Sequence, residues 1–311
     1  MINSVAMMKK LLVSLLSALL CMTVVAESGS NVETGQNNPD NNSITIDKNG
    51  DVFVSPLWFH ISDEGTAEVI WNRSYKNMES VVIPSEIKIA GHVYPVTSIG
   101  YRAFDGCSSL TNVNIPSSVT SIGVWSFCGC SGLTSIEIPS NVTSIGREVF
   151  DGCSELTSIN VAYDNSIYTS EDGVLYDKNK TEIIRTPEKK KENFKLPSSV
   201  TSIGNSAFRG CKALTNIDLP SGVTSIGSSA FMGCSGLTSI EIPSRVTDIY
   251  VYAFRGCSGL THIVIPSSVT SIGYEAFYLC ENLDVVIDNS KENVTVYEDA
   301  FDGCKSVKYL K

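Results

Sequence analysis

The chain has 311 residues, 42% of them hydrophobic and 18% charged, and a formal net charge of −10. The hydrophobic share supports a folded protein rather than a disordered one. The acidic balance, with a single basic run at Lys189-Lys190-Lys191 set between Glu188 and Glu192, excludes the clustered Lys and Arg of a nucleic-acid footprint.

The N-terminus reads as an address. Lys9-Lys10 precede the apolar run Leu11–Leu20, and small residues lead to Val24-Val25-Ala26 before Glu27. This is the order of a secretory signal peptide over residues 1–26, and it predicts export to the medium or the cell surface. The apolar run is too short for a membrane span, and no second run of spanning length occurs downstream. Cys21 invites a lipoprotein reading, but its predecessor is Leu20 where a small residue belongs. Residues 27–43 are polar, rich in Asn and without an apolar period, which predicts a disordered linker.

Next comes ITIDKNGDVFVS, Ile44–Ser55, where Asn49-Gly50 between two apolar runs signals a hairpin. With Phe59–Trp71 it is expected to build a strand cap over residues 44–77, covering the open end of the repeats that begin at residue 78. Asp47–Asp51 has the carboxylate spacing that begins a calcium loop. The sixth position is Val52 rather than Gly and the twelfth is Trp58 rather than Glu, so the turn is the better reading and no metal is expected.

From residue 78 to 311 the chain repeats. The Phe of an A-F-x-G-C block recurs at Phe104, Phe127, Phe150, Phe208, Phe231, Phe254, Phe277 and Phe301, with gaps of 23, 23, 58, 23, 23, 23 and 24. The cysteines Cys107, Cys130, Cys153, Cys211, Cys234, Cys257, Cys280 and Cys304 keep the same rhythm. A period of this size means stacked coils, none of which buries its apolar side alone. In L-T-S-I-E-I-P the Leu and both Ile point inward while Ser and Glu alternate outward, and Pro closes the strand. V-T-S-I-G gives a second short strand, and A-F-x-G-C a helical or 3₁₀ turn. The fold class is therefore a mainly β solenoid of about eight 23-residue coils. Its one long gap holds an insertion, with a hairpin expected near residues 162–192.

The stretch LTSIEIPSNVTSIG with VFDGC, Leu133–Cys153, and its copies at Leu237–Cys257 and Leu260–Cys280 resemble the BspA-like, or Treponema pallidum-type, leucine-rich repeats. The resemblance covers roughly residues 78 to 311 and includes the interruption GVLYDKNKTEIIRTP, Gly173–Pro187. It implies a non-enzymatic surface protein that binds other proteins, in adhesion to host matrix or cell surfaces. The chain differs from large members of that family in having one array and no appended immunoglobulin-like modules.

Chemistry-bearing residues are few. The ladder cysteines read as buried free thiols, because side chains leaving in parallel cannot reach disulfide torsion, and Cys128 is the one thiol off the ladder to test for reactivity. His60, His92 and His262 fall in different parts of the chain, and neither G-x-S-x-G nor H-E-x-x-H occurs. Glu298, Asp299 and Asp302 read as a solvated last turn. No cofactor and no catalytic residue are expected. What remains is the outward face of the first strand. One column reads Ser80, Asn112, Ser135, Ser158, Asn193, Asn216, Ser239, His262; its neighbour begins at Val82 and continues with varying charge. The candidate partner-binding residues are Asn114, Glu137, Asn160, Lys195, Asp218, Glu241, His262 and Val264, each of which a solvated sheet explains equally well. A second face carries Tyr101, Trp125, Tyr252, Tyr274 and Tyr278, on the separate coils of Phe104, Phe127, Phe254 and Phe277. The alternatives to protein binding are a glycan-binding module and a structural protein of the cell envelope.

Overall fold

A 23-residue period sets each residue beside its own counterpart one coil later, so a side chain that suits the core once suits it in every copy. The computed structural model describes residues 44–190 and 195–311. The leader expected at 1–26, the linker at 27–43, and Lys191, Glu192 and Asn193 lie outside the described residues.

Each coil has three sides. The first is the L-T-S-I-E-I strand, pairing in parallel and in register with the next coil, as Ser135 with Ser158 and Glu137 with Asn160. The second is the T-S-I-G strand, which forms longer ladders through Ser98, Ser121 and Ser144, and through Ser202, Ser225, Asp248 and Ser271. The third is the A-F-x-G-C block. It folds into 3₁₀-type turns with i to i+3 bonds, such as Cys107 N–H to Phe104 O (3.1 Å), but no helix propagates. The reason is a left-handed residue two before each Phe and another two after it, as at Trp125 (φ 57°) and Gly129 (φ 69°). This twist turns alternate amides toward the neighbouring coil. Arg102, Phe104 and Gly106 donate to Val124, Ser126 and Cys128 at 3.1, 2.7 and 2.7 Å, a third ladder that repeats along the array.

Packing follows the period. The Phe rings stack nearly parallel, Phe208 on Phe231 at 4.9 Å and Phe231 on Phe254 at 5.1 Å, because the coil repeat dictates their spacing. Six of the eight ladder thiols donate their S–H to the Phe carbonyl of the preceding coil, at 3.1 Å for Cys130, Cys153, Cys234, Cys257 and Cys280 and 3.3 Å for Cys304, while Cys211, which follows the insertion, reaches the carbonyls of Thr186 and Pro187 instead. All nine described cysteines are unbridged.

Strands Ile44–Ile46, Val52–Val54, Leu57–Ile61 and Ala67–Val69 form an antiparallel meander over the first coil, the last pairing in parallel with His92–Ile99. Asp47 Oδ1 accepts the amides of Asn49 (2.8 Å) and Asp51 (2.9 Å), which occupies that carboxylate in the turn. Tyr75 begins the aromatic column, its ring tilted by 32° against Phe104 at 5.4 Å. The extra residues of the opening repeat fold into a hairpin, Glu86–Ile89 against His92–Ile99.

The insertion contributes three strands, Tyr168–Glu171, Val174–Asp177 and Glu182–Arg185. The last of these pairs with Ser202–Ile203 and so serves as the second strand of an extra coil. Val174–Asp177 is buried on both faces. Leu175 packs into the N-terminal core and Val174 and Tyr176 into the C-terminal one, so the insertion is the partition between two cores.

Candidate functional site

The first-strand face places all eight candidate residues outward and exposed. Its two columns extend beyond the expected ones. His262 faces Asp284, which faces Ser306; Val264 faces Val286, which faces Lys308. The segment LDVVIDNS keeps the repeat's Leu, as the buried Leu283, and its alternation but lacks the Thr and Pro, and that alternation was the available signal for the added residues. Asp284 is tied down by Ser306 Oγ (2.6 Å) and Lys305 Nζ (2.7 Å), whose hydrogen bonds hold its carboxyl below the usual range. Valines interrupt the polar surface, with Val82 at 68% and Val264 at 46% exposure and Val286 half-buried beside Val264.

The insertion divides this face. The turn between its first two strands lies on Ser158, where a Cβ on Gly173 would come within 2.8 Å of Ser158 Cβ, and Gly173 O accepts the Ile159 amide at 2.8 Å. Val82, Asn114, Glu137 and Asn160 therefore stand before the break, and Lys195, Asp218, Glu241 and Val264 after it.

On the turn face, the separation of the aromatics by whole coils is what brings them together, since counterparts 23 or so residues apart are neighbours. Tyr101 and Trp125 lie 5.7 Å apart and Tyr252 and Tyr274 5.8 Å. Arg102 sits over both rings of the first pair, at 5.4 and 4.6 Å, and Arg255 over Tyr252 and Tyr278, at 5.3 and 5.0 Å. Trp125 Nε1–H also donates to Glu148 at 2.7 Å.

A charged cluster that the repeat pattern did not signal lies where the insertion replaces a turn block. Arg185, 5% exposed, pairs with Asp151 (3.0 Å) and Glu188 (2.9 Å) and donates to the carbonyls of Ser206 (2.6 Å) and Phe150 (3.1 Å). Arg209 adds a second cation 3.0 Å from Asp151. Burial pushes the carboxyls of Asp151 and Glu188 up against the pull of these arginines.

Cys128 is half-buried, and burial followed by the nearby Asp105 and Asp151 pushes its thiol up, which disfavours the reactive thiolate. Among the described residues no group of three or more His, Cys, Asp and Glu is placed to hold a metal, and no helix is long and apolar enough to cross a membrane.

The model of the BspA type leucine rich repeat region matches residues 74–192 and 187–308, with six copies. No curated protein matches the chain. Among solved structures, a leucine rich cell surface protein of Faecalibacterium prausnitzii is 26% identical, with 84% of this chain and 95% of that one aligned and a TM-score of 0.51. A leucine-rich repeat protein of Eubacterium ventriosum is 25% identical over 82% of each chain, TM-score 0.56. One from Bacteroides ovatus is 29% identical over 83% of this chain and 70% of its own, TM-score 0.53. The repeat register, the three-sided coil and the family match agree: this chain belongs to the BspA-type leucine-rich repeat family.

Proposed function

We propose that this is an exported, non-enzymatic surface protein that binds a protein ligand through the outward columns of its first-strand face, in adhesion to host matrix or cell surfaces. The domain division goes with this reading: a leader at 1–26, a linker at 27–43, a cap at 44–77 and the array at 78–311. The observation that carries it is the face itself. Its inward letters are held constant by the core, while its second outward column runs Val82, Asn114, Glu137, Asn160, Lys195, Asp218, Glu241, Val264. A regular surface with one variable column is how repeat proteins present a binding site. The description of the Faecalibacterium protein as a cell surface protein supports the location.

The test is binding of the mature chain to immobilised fibronectin, fibrinogen and epithelial cells, with Glu137→Lys, Asp218→Lys and Glu241→Lys combined in one variant. At least a ten-fold change in affinity is expected, and an unchanged affinity removes this face. A glycan-binding module is the second reading, favoured by the Tyr101–Trp125 and Tyr252–Tyr274 pairs. It predicts binding on a glycan array that is lost on Tyr101→Ala.

A further inference from the structure

The third ladder has a missing rung. In the regular coils the residue two before the Phe, the Phe itself and the residue two after it all donate their amides to the next block, as Trp125, Phe127 and Gly129 do to Arg147, Val149 and Asp151. In the coil of Phe150 the next block is absent, because the insertion stands there instead. Only Gly152 keeps a partner, the Glu188 carboxylate at 2.7 Å. Among the described residues, the amides of Glu148 and Phe150 have no acceptor. Across the gap, Asn205 O accepts no amide from a described residue, whereas its counterpart Ser228 O accepts that of Ser206 at 2.9 Å.

Space accompanies the unpaired groups. A cleft of about 150 Å³ opens there, with the Arg147–Phe150 backbone on one wall, Asn205 and Ser206 on the other, and Glu182, Arg185 and Leu175 between them. Arg185 reaches across it as a side-chain strut, bonded to Phe150 O and Ser206 O but with Nε unpartnered. Buried backbone donors left unpaired cost free energy, and such a gap favours whatever can complete it.

We propose that this cleft is a second recognition site, distinct from the first-strand face, and that it takes a peptide segment of a partner protein. Alternate carbonyls of that segment accept the Glu148 and Phe150 amides, and one of its own amides donates to Asn205 O. A donor wall facing an acceptor wall matches polypeptide backbone, which carries both, better than it matches an anion or a cation alone. The site is therefore read mainly by main-chain hydrogen bonds, with Glu182 and Arg147 at its rim selecting side chains.

The probe is a mixture of acetylated, amidated hexapeptides randomised at four central positions. It is selected on the full chain against Glu182→Trp, which fills the cleft from an outward strand position. Recovered peptides are then titrated into ¹⁵N-labelled protein. The expected result is peptides that bind at least ten-fold more tightly than they bind E182W and that slow hydrogen exchange at Glu148 and Phe150, with shifts elsewhere in E182W matching the parent. The proposal is overturned if no peptide discriminates, or if binders leave those two amides exchanging at the free rate, as a cleft filled only by water would. Binders that shift residues around Glu137 or Glu241 instead also overturn it, and that outcome would leave the first-strand reading intact.

Discussion

The thiol ladder makes stability fall steeply at alkaline pH. Seven cysteines are buried, and burial pushes their thiols up, to about 11 for Cys107 and about 12 for Cys153, Cys211 and Cys280. Cys130, Cys234 and Cys257 shift in the same direction. An unfolded thiol titrates near 8.5. Above that pH the unfolded chain loses protons that the folded chain keeps, so the contribution is complete below about pH 8.5 and declines as pH rises toward the folded values. Between pH 8.5 and 9.5 each thiol costs about 1 kcal/mol, and the seven together about 7 kcal/mol, comparable with the whole stability of an ordinary domain. Urea unfolding followed by tryptophan fluorescence at pH 7.5, 8.5 and 9.5, in reductant, measures it. Cys280→Ala should be less stable at pH 7.5 but lose about 1 kcal/mol less over the upper interval. A stability that changes by under about 2 kcal/mol between pH 8.5 and 9.5 would refute the assignment of the ladder as buried neutral thiols.

Two further outcomes concern the coil and its interruption. Arg185→Met removes the cation from a buried cluster and leaves Asp151 and Glu188 facing each other, with a loss of about 3–5 kcal/mol in the same unfolding assay; Arg185→Met with Asp151→Asn should recover part of that loss. Leu279 holds the left-handed position (φ 59°) that Gly occupies in its counterparts Gly106, Gly129 and Gly256, so Leu279→Gly is expected to stabilise the array by about 1 kcal/mol, read as a rise in melting temperature.

The repeat itself was legible from the letters alone. A solenoid residue touches its own coil and the two beside it, so spacing in sequence converts directly into neighbours in space, and Phe127, Cys130, Leu133 and Ile136 could be assigned to the core from their period. The outward alternation of Ser135 and Glu137 followed from the same rule. The turn block was legible as a turn but not as a ladder, because the left-handed residues before each Phe are as varied as Arg102, Trp125, Glu148 and Ser206.

The features that emerge only on folding lie where the period fails. Arg185 bonds to residues 35 positions before it and 21 after it, and no internal repeat predicts such distances. Its burial follows from having to bridge two blocks whose intervening block is gone. The division of the first-strand face after Asn160, the two-sided burial of Val174–Asp177 and the unpaired amides of Glu148 and Phe150 share that cause. Periodic contacts are written once per coil in the sequence, whereas contacts made by an insertion are written once in the molecule and become visible only when the chain is folded around it.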